Sequence, residues 1–162
     1  MTTQQKTLST VAIIPARGGS KGVPLKNLQK IAGKSLLARA IESAQATHGI
    51  DLVVVSTDHD GIAAEAERYG ATVVRRPDAI SGDTATSESA LIYTLEQLEK
   101  LRGTQFDITV FMQCTSPFIN PQNMDNAIAR VQRNVADVVF SAVEDHSFLW
   151  TCLLYTSDAA DE

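Results

Sequence analysis

The feature that most constrains this chain is the alternation of short, unbroken apolar runs with stretches of helical periodicity. Val-Ala-Ile-Ile-Pro-Ala at residues 11–16 and Leu-Val-Val-Val at 52–55 are too short for core helices and show no polar alternation. Strands of that kind are buried on both faces, as in a parallel sheet covered by helices. Residues 71–74, 106–112 and 136–143 are expected to add three more strands, and residues 51–57 frame the second. A helix is expected over 35–47, where Leu36, Leu37, Ala40, Ile41 and Ala44 share a face behind a Ser35 N-cap. Ile62, Ala63, Ala66 and Tyr69 mark a second, ended by Gly70. The longest helical pattern covers 84–101, with Leu91, Leu95 and Leu98 on one face, Ala90 and Thr94 beside them, and Asp83 or Thr84 as its cap. A fourth spans 121–134 with Pro121 or Gln122 in its first turn. Strand and helix alternate throughout, so the fold class is α/β: a mainly parallel sheet wrapped on both faces in three layers.

Composition narrows the function classes. The chain has 162 residues, one domain's worth, with 14 Lys and Arg against 19 Asp and Glu for a formal charge of −5. There is no basic excess for a general grip on nucleic acid. No apolar run reaches the roughly 20 residues that span a bilayer, and residues 1–6 are polar with no signal-peptide core behind them. Two cysteines, Cys114 and Cys152, do not make a disulfide framework. A cytoplasmic protein without nucleic-acid or membrane partners is expected. Residues 152–162 break the pattern and resemble the translation of a transposon-type adapter used in DNA sequencing libraries. They are read as a non-native tail holding three of the excess acids, Asp158, Asp161 and Glu162. Residues 1–151 are then read as the N-terminal part of a domain whose natural gene continues past Thr151.

In open α/β sheets ligands bind outside the carboxyl ends of the strands, so the loops there carry the chemistry. The first, residues 16–27, sets Arg17, Lys21 and Lys26 beside Gly18, Gly19 and Gly22. Glycines let backbone N–H groups approach an anion and the cations neutralise it, so a phosphate chain is the expected guest. Two familiar phosphate loops are excluded. Gly33-Lys34-Ser35 has a Walker ending but Leu28 stands where the earlier glycine belongs, and Ser20 breaks the dinucleotide pattern that Gly18 would begin. The second loop, residues 75–87, adds Arg75 and Arg76 and ends in a hydroxyl cluster at a helix start. The third, residues 113–117, offers the Gln113 amide, which can pair donor to acceptor with a pyrimidine edge.

Other candidates point elsewhere. His48, His59 and His146 share no metal-ligand spacing, and no Ser-His-Asp or Cys-His arrangement stands out. Asp58 and Asp60 follow the second strand and are read as caps of the next helix rather than as cation ligands. Trp150 near Phe148 reads as core.

The motif Ile13-Ile14-Pro15-Ala16-Arg17-Gly18-Gly19-Ser20-Lys21-Gly22, running on to Pro24-Leu25-Lys26-Asn27, resembles the signature of the acylneuraminate cytidylyltransferases. Ser56-Thr57-Asp58-His59-Asp60, Gly70-Ala71, Arg75-Arg76, Ser81-x-Asp83 and Gln113-x-Thr115-Ser116-Pro117 are similar to segments of that family in the same order. The resemblance covers residues 11–151. It implies a Rossmann-like nucleotidyltransferase that moves CMP from CTP to a nine-carbon acidic sugar and releases pyrophosphate, with Mg²⁺ offsetting the phosphate charge. On that resemblance Arg17 and Lys21 are the catalytic pair that holds the triphosphate. Ser20, Lys26, Asn27, Arg76, Ser87 and Gln113 would bind nucleotide or sugar.

The same resemblance implies a homodimer, with the magnesium ligands and sugar site beyond the end of this chain, so the 162 residues alone are expected to be inactive. Cys114 departs from the family pattern, which has proline there. The neighbouring readings are a cytidylyltransferase for Kdo, pseudaminic or legionaminic acid, and a nucleotide-binding module without catalysis. A dehydrogenase is disfavoured by the missing dinucleotide fingerprint.

Overall fold

The computed structural model describes residues 8–19, 22–82, 86–103 and 105–142. Along them run β1 (Thr10–Pro15), a 3-10 turn (Lys26–Leu28), β2 (Lys30–Ile31), β3 (Lys34–Ser35), α1 (Leu36–Gln45), β4 (Leu52–Thr57), α2 (Asp60–Arg68) and β5 (Thr72–Arg75). A second 3-10 turn (Asp78–Ile80), α3 (Ser87–Arg102), β6 (Ile108–Phe111) and α4 (Pro121–Gln132) follow. The main sheet has the order β5-β4-β1-β6, all pairs parallel, with Ile13 opposite Val54 and Phe111.

The apolar runs do what their lack of alternation implies. Val11, Ala12, Ile13 and Ile14 are all fully buried, because the two faces of β1 feed two cores. Ala12, Ile14, Val53 and Val55 pack with Leu37, Ile41, Ile62 and Ala66 of α1 and α2. Val11, Ile13 and Val54 pack with Leu91, Leu95 and Leu98 of α3. Crossover handedness explains this division. The steps β1–α1–β4 and β4–α2–β5 move outward in one direction, whereas α3 leads back across the sheet to β6 on the far side of β1. Right-handed crossovers therefore place α3 on the face opposite α1 and α2. The reversal falls between β1 and β6, and the crevice for a ligand opens at their carboxyl ends.

Helix ends follow the capping logic, with two corrections. Ser35 accepts from Ala38 N at 3.0 Å, Gly70 takes φ +76° after α2, and Pro121 opens α4, all as the sequence predicts, while the α4 cap is Asn120. The cap of α2 is His59, which accepts from Gly61 N, rather than Asp58 or Asp60. Asp60 lies inside the first turn, and Asp58 is drawn toward the loop after β1. The cap of α3 is Thr86, which accepts from Ser89 N at 3.2 Å, because the helix begins at Ser87 rather than at residue 84. Asp83 and Thr84 lie outside the described residues.

The expected strand over 136–143 does not form within its described part, residues 136–142. Val138 and Phe140 are 78% and 83% exposed. A parallel strand depends on helices covering both faces, and among the described residues this segment gains no such cover. Outside the described residues lie Val143, His146, Phe148, Trp150 and the tail 152–162. Among the described residues no helix is long and apolar enough to cross a membrane.

Candidate functional site

Three loops leave the carboxyl ends of β1, β5 and β6 at one edge of the sheet, and each is tied to the sheet. In the first, Ala16 N donates to Ser56 O at 2.9 Å and carries the β1 ladder one residue past the strand. Gly18 N donates to Asp58 Oδ1 at 2.9 Å. Asn27, 7% exposed, donates its amide to Arg17 O at 3.2 Å and so draws the two ends of the loop together. Leu28 N to Leu25 O, at 2.8 Å, closes the last turn, with Leu25 at φ 46°. A bulky residue in the left-handed region is strained, and such strain persists only where the surroundings over-determine it. The two described ends of the first loop are therefore tied to each other and to the sheet.

In the second loop Arg76 N donates to Thr57 O at 2.9 Å, and Ser81 Oγ to Pro77 O at 3.0 Å. Arg17 donates a guanidinium N–H to Gly82 O at 3.0 Å, joining the first loop to the second. In the third, Met112 N donates to Ile13 O, which leaves Met112 and Cys114 buried and Gln113 exposed between them. Ser116 N to Gln113 O, at 3.2 Å, closes the turn there.

The space between the loops is a cleft of about 670 Å³, within the range of small-molecule sites. Of the residues expected to form a site, Arg17, Lys26, Asn27, Arg76, Ser87 and Gln113 all line it. Ser20 and Lys21 lie outside the described residues. Val23, Ile80 and Phe111 add an apolar wall that a search for charges and amides does not find. Its signal was Phe111, two residues before Gln113 at a strand end, where period-2 geometry sets both on one side.

Charge makes the cleft distinct from the rest of the chain. Three cations, Arg17, Lys26 and Arg76, line it, and no Asp or Glu does so among the described residues, although the chain as a whole carries −5. Arg76 is 8% exposed, and its buried Nε has no hydrogen-bond partner among the described residues. Burial pushes its guanidinium below the usual arginine range, the Asp58 carboxylate raises it in part, and Arg17 lowers it further. The guanidinium stays charged, but its charged form is held at a cost that an anion in the cleft would offset. Cys114, 2% exposed, has its thiol pushed up to about 12 by burial, so it is inert as a nucleophile. Among the described residues no three His, Cys, Asp or Glu side chains gather to hold a metal ion.

The family model described as cytidylyltransferase matches residues 11–149. The chain is 37% identical over 139 residues to an N-acylneuraminate cytidylyltransferase of Oncorhynchus mykiss, covering 86% of this chain and 31% of the relative. It is 40% identical over 121 residues to a CMP-N,N'-diacetyllegionaminic acid synthase of Legionella pneumophila, covering 73% of this chain and 51% of that one. The fold is shared with a CMP:2-keto-3-deoxy-manno-octonic acid synthetase solved in complex with CTP, at a TM-score of 0.68 and 23% identity, over 79% of this chain and 49% of that one. The chain thus spans about a third of the length of the first relative and about half of the other two.

Proposed function

The chain belongs to the cytidylyltransferase family, and from that premise we propose that its cleft binds CTP and serves transfer of CMP to an acidic nonulosonic sugar of the sialic acid type, with release of pyrophosphate. The observation that carries this reading is Arg76, a buried guanidinium with an unpartnered Nε in a cleft that also holds Arg17 and Lys26 and no carboxylate among the described residues. A triphosphate can accept charge-assisted hydrogen bonds from all three cations at once.

In this reading Arg17, with Lys21 from the same loop, holds the triphosphate and stabilises the charge that develops as the sugar hydroxyl attacks the α-phosphorus in line. Lys26 and Asn27 line the nucleotide side of that loop. Gln113 and Ser87, from the other two loops, meet the base, the ribose or the sugar. Magnesium belongs to the same proposal and would supply further charge neutralisation. The described residues do not gather a carboxylate set for it. The proposal also places the activity in the cytoplasm and in a homodimer.

The test is calorimetric titration with CTP, ATP and UTP, followed by pyrophosphate release with sialic, legionaminic, pseudaminic and Kdo acids. Saturable binding that favours CTP supports the reading, and turnover with one acid identifies the acceptor. In a protein that turns over, Arg17→Ala is expected to cut kcat by about 10², the scale of one lost transition-state contact. Equal indifference to all three nucleotides would overturn the reading.

A further inference from the structure

We infer that Asp58 and His59, the two residues after β4, are positioning residues for the glycine loop, Asp58 by holding the Gly18 amide and His59 by filling the space over its Cα. The inference rests on the reading that this loop receives CTP, and it adds residues that touch no ligand themselves.

Asp58 Oδ1 accepts from Gly18 N at 2.9 Å, across 40 positions of sequence. Asp58 is not among the residues that line the cleft, so it acts on the loop through the Gly18 N–H rather than by lining the site. Helix capping does not account for it, since His59 caps α2. Its carboxylate also lies close enough to Arg76 to favour that residue's charged form. One half-buried acid thus fixes an N–H group of the loop and supports a buried cation of the cleft.

His59 closes the loop sterically. A Cβ on Gly18 would stand 2.7 Å from His59 Cδ2 and 2.9 Å from its Cβ, so no residue but glycine fits there without displacing the ring. A Cβ on Gly61 would stand 3.1 Å from Cε1 on the other side. The ring is held as well as wedged. His59 N donates to Thr57 Oγ1 at 3.1 Å, and Nδ1 accepts from Gly61 N at 3.1 Å, which leaves the proton of the neutral ring on Nε2. A loop whose amides must meet an anion gains affinity when its backbone is fixed beforehand.

The experiment is backbone amide hydrogen exchange by NMR together with CTP titration, on the full chain and on Asp58→Ala, Asp58→Asn and Gly18→Ala. In Asp58→Ala the Gly18 amide is expected to exchange at least about tenfold faster while β4 amides keep their protection, and the Kd for CTP to rise about tenfold. Asn retains an oxygen that can accept from Gly18 N, so Asp58→Asn is expected to restore Gly18 protection and most of the affinity. Gly18→Ala is expected to shift the His59 ring resonances and weaken CTP, and it carries the test if Asp58→Ala fails to fold. Unchanged Gly18 exchange in Asp58→Ala, no rescue by Asp58→Asn, or an unmoved His59 ring in Gly18→Ala would each overturn the inference. If the parent chain binds no CTP, the functional reading falls on its own, and the exchange and ring-shift results still decide the role of Asp58 and His59.

Discussion

Replacing Arg76 by methionine separates what a buried cation does for the fold from what it does for a ligand. Arg76 is 8% exposed, its Nε lacks a hydrogen-bond partner among the described residues, and burial disfavours its charged form. Methionine keeps much of the volume and removes a charge that burial disfavours. The half-buried Asp58 left behind loses a neighbouring cation but keeps its own hydrogen bond from the Gly18 N–H. The expected outcome is a Tm unchanged or raised, at about 2–4 °C per kcal/mol for a chain of this size. Binding moves the other way. Losing one charge-assisted hydrogen bond to phosphate costs about 1.5–3 kcal/mol, a Kd for CTP roughly 10- to 150-fold higher. Thermal denaturation and calorimetric titration, at one ionic strength, read the two numbers. A lower Tm with unchanged CTP affinity would refute the reasoning, since Arg76 would then be a structural cation.

Three other outcomes are expected. Ala32 and Gly33, between β2 and β3, have φ 48° and 81°, the left-handed pair of a type I′ turn, so Ala32→Asn should stabilise by about 0.5–1 kcal/mol in urea denaturation; a lower midpoint would contradict this. Cys114, with its thiol near 12, should resist alkylation at pH 7.5 in a Cys152→Ser background until the protein unfolds, and rapid labelling of the folded protein would contradict its burial. Asp125 accepts from Gly49 N at 2.8 Å and from His48 at 3.1 Å, and these bonds, Gly49 first, hold its carboxyl below the usual range. A lowered folded-state pKa gives stability that is present above the unfolded value of about 3.9 and lost as pH falls through the folded one. Asp125→Ala should therefore be less stable than the parent near neutrality, with the gap closing in acid; a gap independent of pH would argue against the carboxylate.

The fold was legible wherever burial alone decides structure. β1 and β4 read as strands because both faces are covered, and Gly70 and Ser35 mark helix ends through local geometry that no tertiary contact overrides. Two-residue strands such as β2 and β3, Lys30–Ile31 and Lys34–Ser35, leave no periodicity to find. Residues 136–142 failed in the opposite sense, since an apolar run specifies a strand only where something covers it. At the site, the cations and the amide were visible as residue types at strand ends, and topology brought Arg17, Lys26, Asn27, Arg76, Ser87 and Gln113 to one cleft. The Asp58 contact with Gly18 was hidden, because 40 positions separate the partners and a carboxylate at a helix start reads first as a cap.

The account rests on the cleft at the carboxyl ends of β1, β5 and β6 being the seat of CTP, and a titration of CTP into the isotopically labelled chain, followed by amide NMR shifts, tests this most directly. Saturable shifts confined to residues 16–27, 76–82, 86–87 and 113–115 are expected. Saturable shifts centred elsewhere, or none at millimolar CTP, would contradict it.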